Sequence, residues 1–284
     1  MGTFQRVVCA VDFSQTSADA LKYAAMFAAC GGAELHVVHA ILLEPPVYFT
    51  HSQLDELHKQ HGRSLAAAER TLSEFTAETL RDSTPGPVVS MIVDGPAADA
   101  VVEYARSRHA GLIVMGTHGR SGFSRMLLGS VAEKLIRASP SPVLIVRAGR
   151  AASAIRHVLC PVNGTPMARR ALQLAADIAC CARAVLTVMH VVEETFASEN
   201  LDDVRAWLNA GPPCGCEVRE TRRTGNPAAE IIHGATAIGA DLIVIGATHK
   251  PFADATVLGS TTVRVARHAH VPVLMAFETT ELNT

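Results

Sequence analysis

No apolar run in the chain approaches the roughly 18 residues that cross a bilayer, and the opening Met1-Gly2-Thr3-Phe4-Gln5-Arg6 passes straight into a strand-like segment instead of a leader. A cytoplasmic protein with no membrane partner is expected. Charge of one sign is also missing: 25 Lys and Arg stand against 27 Asp and Glu, so there is no basic footprint for nucleic acid. Cys-x2-Cys spacing is absent from the seven cysteines, which argues against a zinc site. Cys9 and Cys160 in strand-like runs and Cys30 and Cys180 in helix-like runs read as reduced core thiols. Neither a Gly-x4-Gly-Lys-Ser/Thr string nor a Gly-x-Gly-x-x-Gly fingerprint occurs, which excludes a P-loop and the usual dinucleotide turn. Only 18% of residues are charged and 49% are hydrophobic, a balance that fills cores and opposes disorder.

At 284 residues the chain has the length of two ordinary domains. The stretch at residues 115–131 organises the first. Residues 110–115 are continuously apolar and rich in branched side chains, as suits a strand buried on both faces of a parallel sheet. Gly116 ends that strand. Gly119 and Gly129 follow, and Ser130 with Glu133 three positions on predicts a capping box opening a helix over 131–138. Glycines permit close backbone approach to an anion, and a helix start offers unpaired N–H groups and a positive dipole end. Strand, glycine loop and helix start together predict a phosphate cradle. An ordinary glycine-rich loop is the alternative.

Taken in order, residues 6–11 predict a strand, Ser14 to Ser17 open a helix that Gly31-Gly32 stops, and residues 34–40 predict a second strand. Pro45-Pro46 marks a loop. Residues 53–81 carry apolar positions at helical steps, with a weak point near Gly62, and a third strand over 88–93 precedes a helix over 97–108. Strand–helix–strand alternation predicts an α/β sheet whose ligands sit beyond the carboxyl ends of its strands.

The second half repeats the first. Asp12 maps to Asn163 and His39 to His190 at an offset of 151, while Gly116 maps to Gly246, Gly129 to Gly259 and Pro142 to Pro272 at 130. The second copy is therefore 21 residues shorter between its second and third strands, where the first has its proline loop and long helix. A duplicated domain follows, with a linker at 147–156, domain boundaries expected at 1–147 and 154–284, and the strands 143–146 and 273–276 expected to join as an internal pseudo-dimer. Association of two chains into a homodimer stays open.

The copies differ at the cradle. His249, or Lys250 in the neighbouring register, replaces the middle glycine, Pro251 removes a donor, and Val263 stands where the first copy has Glu133. A degenerate second site is expected. Asp12 ends the first strand, where a carboxylate can accept hydrogen bonds from a ribose or base, or can serve as a turn or helix-cap residue. His39 and His190 read as satisfied sheet-edge histidines, and Arg120 as a phosphate fork or a solvated loop residue. No Walker-B carboxylate or kinase catalytic loop accompanies the cradle, so any hydrolysis of nucleotide is expected to be slow.

The spacing Gly116-x2-Gly119-x9-Gly129-Ser130, followed by the strand at 142–146, resembles the nucleotide-binding motif of the universal stress protein family. That resemblance covers nearly the whole chain as two copies. It implies an α/β fold of two tandem doubly wound domains, each a five-stranded parallel sheet flanked by helices, of the adenine nucleotide alpha hydrolase-like kind. It further implies ATP, with or without magnesium, in the first domain. Carried over to this sequence, Val11 and Asp12 would line the adenosine end, Ala40 would lie against the base, and Met115 and Gly116 would flank the ribose and α-phosphate. Gly119, Gly129, Ser130 and Val131 would hold the triphosphate, with Arg120 beside them. The resemblance implies a stress-response regulator that acts by nucleotide-dependent contacts with a protein partner. A slow ATPase and a nucleotide-free scaffold are the alternatives.

Overall fold

The computed structural model describes residues 4–42, 51–117, 128–147, 154–193, 201–211, 215–252 and 255–277. The first repeat runs β1 (Arg6–Ala10), α1 (Gln15–Gly31), β2 (Glu34–Ile41), α2 (His51–Thr79), β3 (Val88–Asp94), α3 (Ala97–Ser107), β4 (Leu112–Gly116), α4 (Ser130–Ala138) and β5 (Val143–Val146). The second follows as β6 (His157–Val162), α5 (Pro166–Ala182), β7 (Val185–Val192), α6 (Asp202–Ala210), β8 (Val218–Thr224), α7 (Pro227–Ala237) and β9 (Leu242–Gly246). It closes with β10 (His249–Phe252), β11 (Ala255–Leu258), α8 (Ser260–His268) and β12 (Val273–Ala276). The 21-residue deficit is visible as α2, with 29 residues, against α6, with 9. Gly62 lies inside α2 without breaking it.

Ten strands form one sheet in the order β3-β2-β1-β4-β5-β12-β9-β6-β7-β8. Neighbours within each repeat are parallel. Only the central pair β5–β12 is antiparallel, with Leu144 opposite Leu274. The expected joining of strands 143–146 and 273–276 is thus what the structure shows. Each of these strands would otherwise end its half-sheet with unpaired N–H and C=O groups, and each covers the other. Leu144 and Leu274 are fully buried and are images of each other at the 130-residue offset, so a pseudo-two-fold axis passes near their contact.

Two cores lie on the two faces of the sheet. One face carries α1 and α5, with Leu21, Tyr23, Leu172 and Ala175 buried against alternate strand residues such as Val7, Leu35 and Val158. The other carries α3, α4, α7 and α8 against Val8, Ile113, Leu159 and Ile243. Strand residues thus alternate between two dry layers, which is why strands such as β4 read as unbroken apolar runs.

Helix α1 begins where Ser14 Oγ accepts from the Ser17 N–H at 3.2 Å, the hydroxyl cap expected there. The expected capping box at α4 does not form. Gly129 is its N-cap with no side-chain cap, and Ser130 is already helical. Glu133 instead pairs with Arg267 on α8 of the other repeat. A carboxylate reaching across an interface to a cation cannot also fold back onto its own helix start.

Candidate functional site

In each repeat the chain crosses from one side of its first strand to the other, in the first repeat between β1 and β4. Such a switch in strand order leaves a crevice at the carboxyl ends of the strands. A cavity of about 260 Å³ lies there, near the small end of ligand pockets at ~300–1,000 Å³. Ala10, Val11 and Asp12 reach it from β1, Val38, His39 and Ala40 from β2, and Met115, Gly116 and Thr117 from β4. Gly129, Ser130 and Val131 close it at the start of α4. Eight of the sequence-predicted residues, Val11, Asp12, Ala40, Met115, Gly116, Gly129, Ser130 and Val131, therefore line one cavity. Gly119 and Arg120 fall outside the described residues, as does His118.

Backbone hydrogen bonds fix the rim of this place. The N–H of Gly129 donates to the Thr117 carbonyl at 2.9 Å, and the Thr117 N–H donates to Val146 at 2.9 Å, so both ends of segment 118–127 are tied to the sheet. Helix α4 then starts at the cavity with no side-chain cap, leaving its first N–H groups and positive dipole end turned toward the space. Gly129 has φ -64°, ψ 152°, which any residue can adopt, and a Cβ there would meet no atom of the described residues within 4 Å. Neither the dihedrals nor packing against the described residues asks for glycine at that position, and Gly129 lines the cavity. Gly116 differs. A Cβ on it would stand 2.6 Å from Thr16 Cγ2, so α1 packs on β4 only because that residue is glycine. The same holds for Gly246, whose Cβ would lie 2.8 Å from the Met167 carbonyl oxygen.

Asp12 Oδ1 accepts from the Ser14 N–H at 3.1 Å and from the Ser14 hydroxyl at 2.6 Å. The carboxylate therefore fixes the turn into α1 while lining the cavity, and both readings of Asp12 apply. Phe13, between them, takes a left-handed φ of 65° and lays its ring 4.3 Å from that of His39. His39 Nδ1 lies 2.7 Å from the Val11 carbonyl oxygen. A carbonyl only accepts, so Nδ1 carries the hydrogen and Nε2 is left as an acceptor. His39 is the satisfied histidine expected, yet it also walls the cavity, and the sequence reading left it out of the site. The apolar contributors Val38, Val101 and Leu135 were missed as well. Their signal was their placement on elements already assigned to the site, β2, α3 and α4.

The second repeat keeps a cavity of about 310 Å³. Asn163 Oδ1 accepts from Thr165 N–H at 3.3 Å and Oγ at 2.7 Å, reproducing the turn that Asp12 makes without its charge. Glu193 lines this cavity, at the position that corresponds to Leu42 in the first repeat. The offset of 151 already exposed that carboxylate, had it been followed one residue past the strand. Within the stretch expected to be a degenerate cradle loop, His249–Phe252 and Ala255–Leu258 pair as the antiparallel strands β10 and β11, with Pro251 opposite Thr256. A two-strand ribbon has only edges, where a missing N–H costs little.

Two tandem α/β units with crevices at their strand-order switches define a doubly wound class, and comparison with known proteins narrows it. The model of the universal stress protein family matches residues 3–147 and 154–276. The chain belongs to the universal stress protein family. A universal stress protein of Mycobacterium tuberculosis is 26% identical over 95% of this chain and 96% of its own length. One from Methanocaldococcus jannaschii is 30% identical over 51% of this chain and 82% of its own. Among solved structures, a universal stress protein from Archaeoglobus fulgidus shares the fold with a TM-score of 0.72 at 23% identity, covering 96% of this chain and 98% of that one.

No helix among the described residues is long and apolar enough to cross a membrane.

Proposed function

We propose that the chain is an ATP-binding regulator of the stress response, with residues 1–147 as the nucleotide-binding domain, residues 154–284 as its companion, and protein partners that distinguish the loaded from the empty form. The observation that carries this reading is the cavity at the sheet's switch point, where the Asp12 carboxylate and the uncapped start of α4 at Gly129 line one space. A nucleotide suits both ends of that cavity. Val38, Ala40 and Met115 offer apolar walls for a base, Asp12 an acceptor for a ribose hydroxyl, and the N–H groups opening α4 donors for phosphate oxygens. Gly119 and Arg120 complete the cradle in this proposal. Magnesium accompanying the triphosphate would draw its oxygens chiefly from phosphates and water, with Asp12 the carboxylate among the residues that line the cavity.

The second repeat holds no triphosphate in this account. Glu193 on its cavity wall opposes an anion, and Asn163 supplies no charge. Each charge-assisted hydrogen bond left unmade costs ~1.5 kcal/mol or more, so the second site is empty when the first is filled. Catalysis is slow in the same account, because among the described residues no group of carboxylates, histidines or cysteines that could hold a metal ion stands beside the cavity, and Asp12 is already engaged by Ser14. Turnover well under about 1 per second is expected. Mass spectrometry of the small molecule released from heat-denatured protein tests the ligand directly. An adenine nucleotide triphosphate supports the reading; protein purified without nucleotide, whose melting temperature ATP does not move, overturns it in favour of a scaffold.

A further inference from the structure

Four of the cysteines form two pairs that the duplication itself generates. Cys9 maps to Cys160 and Cys30 to Cys181, both at the offset of 151. The pairs have opposite surroundings. Cys9 and Cys160 lie fully buried in β1 and β6, where burial pushes each thiol far above its ordinary range and makes it inert.

Cys30 and Cys181 stand in the last turns of α1 and α5, on the face of the sheet where those helices meet beside the pseudo-two-fold axis. A residue close to a two-fold axis meets its own image. The structure joins these two, with Cα atoms 5.9 Å apart, inside the ~4.4–6.8 Å that a disulfide spans. Cys181 is exposed and Cys30 half-buried, so solutes reach them. The expectation that Cys30 is a buried, reduced thiol is therefore corrected: it is half-buried and bonded to Cys181, because duplication of a helix-end cysteine and the antiparallel joining of β5 to β12 bring it against its own copy.

We infer that Cys30 and Cys181 are a redox-responsive pair whose reversible disulfide clasps the two repeats together at their axis. The oxidant is hydrogen peroxide. The thiolate of exposed Cys181 attacks one peroxide oxygen, the O–O bond breaks, and a sulfenic acid forms as water is released. The Cys30 sulfur then attacks the Cys181 sulfur, the S–O bond breaks, and a second water leaves. Two thiols are oxidised by two electrons and one peroxide is reduced to two waters. Small-molecule thiols reverse the step by two exchanges through a mixed disulfide. Cys180 adjoins the pair and is itself engaged there, but the repeat offset matches it to Ala29, so Cys181 is the symmetry partner of Cys30 and the one bonded to it.

The clasp acts away from the nucleotide cavity. Thirteen residues of helix separate Ser17, on the cavity wall, from Cys30, or ~20 Å along the axis. Oxidation therefore locks α1 against α5 without closing the site, and makes separation of the repeats dependent on redox state.

The test uses the full chain, reduced with dithiothreitol, freed of it, and treated with hydrogen peroxide. Non-reducing electrophoresis should show a faster-migrating monomer, since a denatured chain tied at residues 30 and 181 is more compact, and thiol titration should fall by two. Dithiothreitol should reverse both and lower the melting temperature by several degrees. Cys30→Ser and Cys181→Ser should each abolish the fast band while melting like reduced wild type, and Cys180→Ser should keep it. Absence of the fast band in wild type, its persistence in Cys181→Ser, or a disulfide-linked dimer in its place would overturn the inference.

Discussion

A Cβ on Gly116 would stand 2.6 Å from Thr16 Cγ2, whereas one on Gly129 would meet no atom of the described residues within 4 Å, and the two glycines should answer mutation differently. Gly116→Ala is expected to lose about 1–3 kcal/mol by overpacking α1 against β4. Gly129→Val should lose under about 1 kcal/mol, the scale of an altered N-cap, yet release nucleotide. Denaturant unfolding and nucleotide titration of the two variants check this; equal destabilisation would remove the special standing of Gly129. At Asp12 the second repeat has already run the control. Asn163 makes the same turn through Thr165, so Asp12→Asn should fold with a stability change under about 0.5 kcal/mol. Its ATP affinity should fall about tenfold, or ~1.4 kcal/mol, as a charged acceptor becomes neutral. Unchanged affinity would confine Asp12 to its turn. Motif spacing marked Gly116 and Gly129 alike, and only the packing of Thr16 separates the structural glycine from the one that faces the cavity.

Helix α4 contributes its start to the cavity and its flank to the other repeat. Glu133 and Arg267, with side chains 30% and 36% exposed, tie α4 to α8 across the junction. A double-mutant cycle with Glu133→Gln and Arg267→Gln should give a coupling of about 0.5–1 kcal/mol, discounted for that exposure, and should shrink in high salt. No coupling would mean that the pair is incidental. Sequence patterning found the helices and strands because burial on both sheet faces writes long apolar runs into β1, β4, β6 and β9. It misread Glu133, whose spacing from Ser130 fits a capping box when helix and neighbour are considered apart. A partner 134 residues away carries no local signature. Hairpin β10–β11 was hidden for a similar reason: Lys250-Pro251 reads as a loop breaker, and strand pairing in a two-strand ribbon tolerates what a central strand would not.

The joined sheet turns two half-sheets with apolar edges into one ten-stranded layer, an assembly that the repeat offsets of 151 and 130 made readable without any relative. The inequality proposed for its two cavities was expected from the sequence too, at the cradle and at the Asp12–Asn163 exchange, though not at Glu193. Size does not separate them, at about 260 and 310 Å³; the Asp12–Asn163 exchange, Glu193 and the hairpin do. The central claim is one ATP per chain, held in the first repeat, and isothermal titration calorimetry of nucleotide-free protein tests it most directly. With wild type the account predicts a stoichiometry of one, abolished in Gly129→Val and retained in the matched second-repeat variant Gly259→Val. A stoichiometry of two, or binding that survives Gly129→Val and disappears in Gly259→Val, would contradict it.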